Sequence, residues 1–121
     1  MLIRDFYTIG EITNDADLHT VKVTLNAGHA VYNGHFPGQP VLPGACSLQI
    51  IKECAEYAVN KDLRYSEIQS CKYLSVINPI DDNVLEIRFN CKESENGIKL
   101  TADVDQKEQP VIKLKAVLTV M

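Results

Sequence analysis

The 121-residue sequence predicts a single α+β domain in which an antiparallel sheet wraps around one long helix. Residues 45–59 carry the only convincing helical pattern, and the elements on either side of it show strand patterns separated by turn signals. No internal repeat, linker or low-complexity tract divides the chain. The order is therefore strands, one helix and then four strands, which predicts one domain over residues 1–121.

The segment before the helix predicts two strands and a turn. Residues 6–12 are rich in strand-forming side chains, and residues 19–26 alternate between apolar and polar side chains, as a half-buried strand does. Residues 30–32 are expected to be a short extended piece. It leads to Asn33-Gly34, a dipeptide typical of tight turns.

The helix predicted over residues 45–59 is apolar over most of its girth, which is typical of a helix enclosed by a sheet. Residues 60–62 are expected to close it. Beyond it the pattern predicts four strands and a tight hairpin turn at residues 95–97. The expected strands cover residues 68–76, 84–89, 98–104 and 111–120.

The charge and hydrophobicity of the chain argue against several classes of function. The net charge is −4 and no block of like charges occurs, which argues against nucleic acid as a main partner. No apolar run approaches the roughly 20 residues of a membrane helix. The N-terminal residues lack the basic-then-apolar layout of a signal peptide. We therefore expect a soluble, cytoplasmic protein without a membrane span.

The four cysteines are not spaced as metal ligands or as redox pairs, so we expect them to be reduced and buried. Cys46 follows the helix start, where the helix dipole can lower the pKa of a thiol. The alternative, which we favour, is that Cys46 is a small core residue.

The segment from His35 to Gly44 holds the strongest functional signal. Its sequence is HFPGQPVLPG, in which three prolines stiffen the backbone and the last one suits the first turn of a helix. The first N–H groups of a helix have no intrahelical partner and lie at the positive end of its dipole. A histidine delivered by this arch is therefore a candidate base beside an oxyanion site.

This motif resembles the signature H-F-P-x-x-P-x-x-P-G of the FabZ/FabA-type 3-hydroxyacyl-[acyl-carrier-protein] dehydratases, and a weaker resemblance covers most of the chain. The resemblance implies a hot-dog fold and an assembly of dimers, either a homodimer or a trimer of dimers. It also implies a substrate carried by phosphopantetheine on an acyl carrier protein. No metal or redox cofactor is implied, because loss of water needs only proton transfers and a polarised carbonyl.

His35 is the expected base, since a neutral imidazole can take the C2 proton of the substrate and return it to the leaving hydroxyl. A histidine that only packs at a turn is the alternative. The backbone N–H of Gly44, followed by that of Ala45, is the expected oxyanion donor, as the resemblance implies for the glycine. A glycine needed only for a tight helix entry is the other interpretation. Phe36, Leu42 and Leu48 are candidates for lining an acyl tunnel, or else belong to the core.

The sequence departs from the family at Gln49. There the resembling enzymes carry a Glu, or an Asp in the FabA branch, which reaches the site from the other subunit. An amide can hydrogen-bond a hydroxyl but cannot donate and recover a proton as a carboxyl group does. Glu53 lies one helical turn later on the same face. Our hypothesis is that Glu53 supplies the missing carboxylate through water or Gln49. The alternative is that Glu53 faces solvent or pairs with a lysine.

These residues leave three functions open: a dehydratase, a non-catalytic subunit that binds acyl chains or pairs with an active hot-dog subunit in a hetero-oligomer, and an acyl thioesterase. Gln49 favours the second and His35 argues against it. Docking of an acidic carrier protein would need a local basic patch on this chain. The candidates for that patch are Arg4, Lys61, Arg64, Lys72 and Arg88.

Overall fold

The structure is a computed structural model that describes residues 5–32 and 40–121. Seven strands of this part form one sheet, and all its strand pairs are antiparallel. The strands are β1 (Tyr7–Ile9), β2 (Thr13–Asp15), β3 (Leu18–Leu25), β4 (Leu63–Tyr73), β5 (Val84–Ser94), β6 (Gly97–Gln106) and β7 (Gln109–Val120). Their order across the sheet is β1-β3-β5-β6-β7-β4, with β2 pairing with β3. This arrangement and the one α-helix of the described residues make up the hot-dog fold, which confirms the predicted α+β class.

The helix α1 (Gly44–Val59) begins one residue before the predicted start and ends at the predicted residue. Pro43 precedes it in an extended conformation, which suits the entry to a helix. Asn60 ends it in the left-handed region (φ 57°, ψ 47°), and its N–H donates to the carbonyl of Glu56. An asparagine tolerates this conformation at a helix end better than most residues do.

One face of α1 packs into the concave side of the sheet. The helical residues buried there are Ser47, Ile50, Ile51, Cys54 and Ala55. They meet alternate side chains of the central strands, such as Ile87, Phe89, Leu100, Leu114 and Leu118, each at most 1% exposed. The core therefore lies between the helix and the sheet, and the helix start and the helix middle face opposite edges of the sheet.

Several predicted boundaries differ from the structure: β2 was not predicted, the strand expected over residues 84–89 continues to Ser94, and β6 and β7 are longer than expected. The strand expected over residues 6–12 ends at Ile9. After it, the N–H of Gly10 donates to the carbonyl of Lys22 (2.9 Å). Residues 30–32, expected to be extended, form a 3-10 turn, in which the N–H of Tyr32 donates to the carbonyl of His29 (3.2 Å). The strand expected over residues 68–76 is β4, which starts at Leu63 and ends at Tyr73.

A buried glutamine fixes the loop between β4 and β5. The side chain of Gln106 is 7% exposed, and its Nε2 donates to the carbonyls of Asn78 (2.9 Å) and Asp82 (2.7 Å). The neighbouring carbonyl of Ile77 accepts a hydrogen bond from the N–H of Leu42 (2.8 Å). This loop therefore holds the chain that enters α1. Within the described residues, no helix is long and apolar enough to cross a membrane.

Candidate active site

The candidate base His35 and the candidate lining residue Phe36 lie outside the described residues. The description stops at Tyr32 and resumes at Pro40, three residues before the helix entry at Pro43. The roles given to His35 and Phe36 therefore remain predictions.

Two backbone N–H groups at the helix start, those of Gly44 and Ala45, are the candidate oxyanion donors. The carbonyl of Pro43 accepts the N–H groups of Cys46 (3.0 Å) and Ser47 (3.1 Å), which begin the helical ladder. Among the described residues, the N–H groups of Gly44 and Ala45 have no partner. They lie at the positive end of a 16-residue helix. This is the arrangement that stabilises negative charge on a carbonyl oxygen.

A mainly apolar cleft of about 500 Å³ opens beside this helix start. Leu42, predicted as a lining residue, is one of its walls. Leu48 instead packs against the core, and its carbonyl accepts a hydrogen bond from the Tyr65 hydroxyl (2.7 Å). The residues lining the cleft are Val41, Leu42, Pro43, Gly44, Ser47, Tyr73, Ser75, Val76, Ile77 and Ile112.

Two hydroxyl groups at the cleft donate to the carbonyl of Gly44. The Oγ of Ser47 lies 2.6 Å from this oxygen and the Oη of Tyr73 lies 3.2 Å from it. The carbonyl of Gly44 shares its peptide unit with the N–H of Ala45. Because hydrogen bonds polarise one another, these two donors make that N–H a stronger donor.

Tyr73 also explains why position 44 is glycine. A Cβ at this position would lie 2.9 Å from the Oη of Tyr73 and 3.1 Å from its Cζ, closer than side chains normally approach. Burial, followed by a hydrogen bond with Cys71, raises the pKa of Tyr73, so its hydroxyl stays protonated near neutral pH. Sequence reasoning gave Tyr73 and Ser47 no role, since neither belongs to the HFPGQPVLPG motif.

Within this chain, Gln49 and Glu53 lie away from the Gly44 cleft. Gln49 borders a depression of about 420 Å³ on the outward side of α1, together with Lys52, Glu56 and Asp62. Glu53 borders the same depression and also a cleft of about 560 Å³ between α1 and β1. One chain therefore does not bring Gly44 together with either side chain.

Glu53 has a partner that the sequence did not predict. The hydroxyl of Tyr7, in β1, donates a hydrogen bond to its carboxylate. Burial and this bond to Glu53 raise the pKa of Tyr7 well above its usual range. The carboxylate thus ties the helix middle to the first edge strand, whereas Gly44 contacts Tyr73 at the end of β4, the opposite edge strand.

Only Cys54 is buried as expected, whereas Cys46, Cys71 and Cys91 are partly buried and pack against the core. Burial raises the pKa of Cys46, which is opposite to the effect of the helix dipole considered above. Cys54 is fully buried, and its burial raises its pKa to about 12. Among the residues that the structure describes, no three His, Cys, Asp or Glu side chains are grouped so that they could hold a metal ion.

Comparison with known proteins places this geometry in context. The chain is 31% identical over 95 residues to the 3-hydroxyacyl-[acyl-carrier-protein] dehydratase FabZ of Ligilactobacillus salivarius. This match covers 72% of this chain and 66% of that protein. The chain is 29% identical over 96 residues to FabZ of Lactobacillus helveticus, covering 73% of this chain and 64% of that protein. The matched region thus spans about two thirds of the length of these relatives.

Solved structures share the fold. The dehydratase heterocomplex ApeI:P from Xenorhabdus doucetiae superposes with a TM-score of 0.77 at 22% identity, covering 93% of this chain and 96% of that one. A hypothetical thioesterase with coenzyme A from Streptococcus pneumoniae gives a TM-score of 0.67 at 16% identity, covering 97% and 88%. A family model described as ApeI-like, ApeI dehydratase, matches residues 11–113. The chain belongs to this ApeI-like dehydratase family.

Proposed function

We propose that the protein dehydrates 3-hydroxyacyl thioesters, carried on an acyl carrier protein, to trans-2-enoyl thioesters. The observation that carries the proposal is that no described residue accepts a hydrogen bond from the N–H groups of Gly44 and Ala45, while Gly44 lines an apolar cleft. A thioester carbonyl seated on these donors has an acidified C2 proton, because the negative charge that develops on its oxygen is stabilised.

In this proposal the chemistry consists of proton transfers. The imidazole of His35 takes the C2 proton, and the electrons of the C2–H bond form the enolate held by Gly44 and Ala45. The C2=C3 double bond then forms as the C3–O bond breaks. The departing hydroxide takes the proton from the imidazolium and leaves as water, which restores neutral His35.

The hydroxyl would be held by Gln49 of a neighbouring subunit, as the family resemblance implies. Support comes from the separation of Gln49 and Gly44 in one chain, since a shared site then needs a second subunit. In this scheme Glu53 acts on the hydroxyl through water or Gln49. Its hydrogen bond from Tyr7, a partner that neither the hypothesis nor its alternative included, instead favours a structural role in which Glu53 holds β1 to the helix.

The assembly would be a homodimer, a trimer of dimers or a hetero-oligomer with another hot-dog subunit. Among the described strands, β4 ends the sheet on one side, so its outer backbone groups are free to pair with another chain. The similarity to a protein from a dehydratase heterocomplex supports the hetero-oligomer. A partner that supplies a carboxylate would make up for Gln49.

A non-catalytic subunit is the second candidate function, favoured by Gln49 and by the engagement of Glu53 with Tyr7. A thioesterase is the third, and the similarity in fold to a hypothetical thioesterase gives it some support. The three differ in product, which would be an unsaturated thioester, no product, or a free thiol and a carboxylic acid.

The test is dehydration of 3-hydroxyacyl-carrier-protein substrates of several chain lengths by the wild type, His35→Ala and Gln49→Glu. We expect turnover by the wild type and its loss, by about 100-fold or more, in His35→Ala. Turnover that is unchanged in His35→Ala contradicts the mechanism. Activity found only in Gln49→Glu would instead support the non-catalytic subunit, and release of free thiol would support the thioesterase.

A further inference from the structure

The outer face of the sheet carries a group of unpaired lysines that the proposed chemistry does not use. The lysine face, as we name it, consists of Lys72, Lys92, Lys99, Lys113 and Lys115. Their side chains are all exposed, and none forms an ion pair with another described residue. The face holds five of the chain's twelve Lys and Arg residues, although the whole chain has a net charge of −4.

Strand register groups four of these lysines into two directly opposed pairs. Lys72 of β4 lies directly opposite Lys113 of β7, and Lys92 of β5 lies directly opposite Lys99 of β6. Lys115 of β7 lies between Ser70 and Thr101. Like charges directly opposite each other on adjacent strands are destabilising. The sheet therefore contains two repulsive pairs that an anionic partner would relieve.

Few acidic groups neutralise this surface. Asp103 of β6 lies opposite Lys113 of β7, and Glu67 of β4 lies opposite Val117 of β7. Glu86 and Asp105, further along the same face, are both engaged by Arg88. Of the basic residues that the sequence offered for a patch, only Lys72 belongs to the lysine face. Arg4 lies outside the described residues, and Arg88 is paired with carboxylates.

The lysine face adjoins the candidate active site. Tyr73 and Ile112 both line the cleft at Gly44. Lys72 is the residue before Tyr73, and Lys113 is the residue after Ile112. A shallow depression of about 340 Å³ on the lysine face is lined by residues of the same strands, including Lys72, Lys113 and Lys115. Because β4 is an edge strand that ends at Tyr73, a flexible arm needs only to pass around its end to reach the cleft.

We propose that the lysine face docks the acidic carrier protein that delivers the thioester, so that its phosphopantetheine arm reaches the cleft around the end of β4. This inference rests on the proposed function and adds to it the surface of the partner. A protein partner fits better than nucleic acid or an anionic membrane. The lining of the depression contains no aromatic side chain that could stack on bases, and its two apolar residues, Ala102 and Leu114, are buried and so do not reach a lipid surface.

The test compares two double variants that change the net charge equally. Lys72→Glu with Lys113→Glu reverses the charge at the end of the lysine face next to the cleft, whereas Lys22→Glu with Lys61→Glu changes two exposed lysines outside it. Binding of a phosphopantetheinylated acyl carrier protein without an acyl group is titrated at several salt concentrations. Dehydration is measured on the carrier-borne substrate and on the small N-acetylcysteamine thioester of the same acid.

We expect the first double variant to weaken carrier binding more than tenfold and to flatten its salt dependence, while the control variant binds as the wild type does. The value of kcat/KM should fall to a similar extent for the carrier-borne substrate and stay unchanged for the small thioester. Equal binding by the two variants overturns the proposal. So does a wild type that fails to bind the carrier protein, or that binds duplex DNA or phosphatidylglycerol vesicles through these lysines instead.

The binding titration separates this inference from the proposed function. A wild type that binds the carrier protein through the lysine face without dehydrating either substrate confirms the surface and contradicts the dehydratase. Dehydration of the small thioester without any carrier binding gives the opposite result, in which the activity stands and the docking surface is wrong.

Discussion

The two sides of α1 differ in how their polar groups are used. At the helix start, the hydroxyls of Ser47 and Tyr73 bond a backbone carbonyl, and no described residue accepts a hydrogen bond from the N–H groups of Gly44 and Ala45. At the helix middle, the charged group of Glu53 is already engaged by Tyr7. The helix start therefore has donors available for a ligand, whereas the carboxylate at the helix middle already has a hydrogen-bond partner within the protein. The backbone N–H groups of Gly44 and Ala45 therefore indicate the candidate site better than the carboxylate of Glu53 does.

The largest expected effect tests the helix start. Gly44→Ala places a Cβ 2.9 Å from the Oη of Tyr73, which pushes the ring away and obstructs the approach to the N–H groups. We expect kcat/KM for dehydration to fall about 100-fold, as for loss of an oxyanion donor, with little change in the free energy of unfolding. Gly28→Ala is the control, because a Cβ there makes only an ordinary contact. Full activity in Gly44→Ala would show that the ligand does not approach Gly44.

A smaller effect tests the hydroxyls on the Gly44 carbonyl. Tyr73→Phe removes one donor, and we expect kcat to fall about fivefold, the equivalent of one ordinary hydrogen bond. Tyr65→Phe is the matched control, because its hydroxyl also reaches from β4 to a helix carbonyl, that of Leu48 (2.7 Å). This control should lower the melting temperature without changing kcat. Equal losses of kcat in the two variants would assign Tyr73 a structural role only.

The other side of the helix should respond in stability and not in turnover. Tyr7→Phe and Glu53→Gln should each lower the free energy of unfolding by about 1 kcal/mol, and the double variant should lose less than the sum. Urea unfolding of the four proteins gives this coupling. Turnover should be unchanged in all of them. A loss of turnover in Glu53→Gln alone would make Glu53 the acid of the site and erase the difference between the two sides.

The smallest effect appears at alkaline pH. The folded-state pKa of Tyr7 is raised above the value of 10.0 expected of the unfolded chain, and burial raises that of Tyr32 to about 12. The stability that these groups contribute is present below pH 10 and is lost as the pH rises further, because the unfolded chain then releases protons that the folded one keeps. The melting temperature should fall above pH 10, and less steeply in Tyr7→Phe. An identical slope in that variant would contradict the role of Tyr7.

Local patterns made most of the fold predictable. The helix was located to within one residue because its apolar girth is continuous and Asn60 can adopt the left-handed cap. The beginning of β4 was missed because residues 64 and 66–69 are exposed and two bulges interrupt their pairing, so no alternation appears. The turn between β6 and β7 has positive φ at Lys107 and Glu108, where no glycine or asparagine marks it.

The candidate site was predictable only as far as it is contiguous in the sequence. Gly44 and Leu42 belong to one motif, and the structure places both at the cleft. Tyr73 lies 29 residues after Gly44, and Tyr7 lies 46 residues before Glu53, so their contacts depend on the sheet order. Hydrophobic periodicity locates strands but does not say which strands become edges or which face collects the lysines.

The two hairpins of the C-terminal half should differ in their tolerance of inserted peptides. Glu95 and Asn96 turn in solvent at the far end of β5 and β6, so an epitope tag placed there leaves the cleft untouched. The turn at Lys107 and Glu108 directly follows Gln106, whose amide holds the loop next to Ile77. A tag at this second turn would loosen that loop and, through the bond from Leu42 to Ile77, the entry to the helix. For anyone labelling or immobilising the protein, a tag at the first hairpin preserves the cleft but lies beside Lys92 and Lys99 of the lysine face.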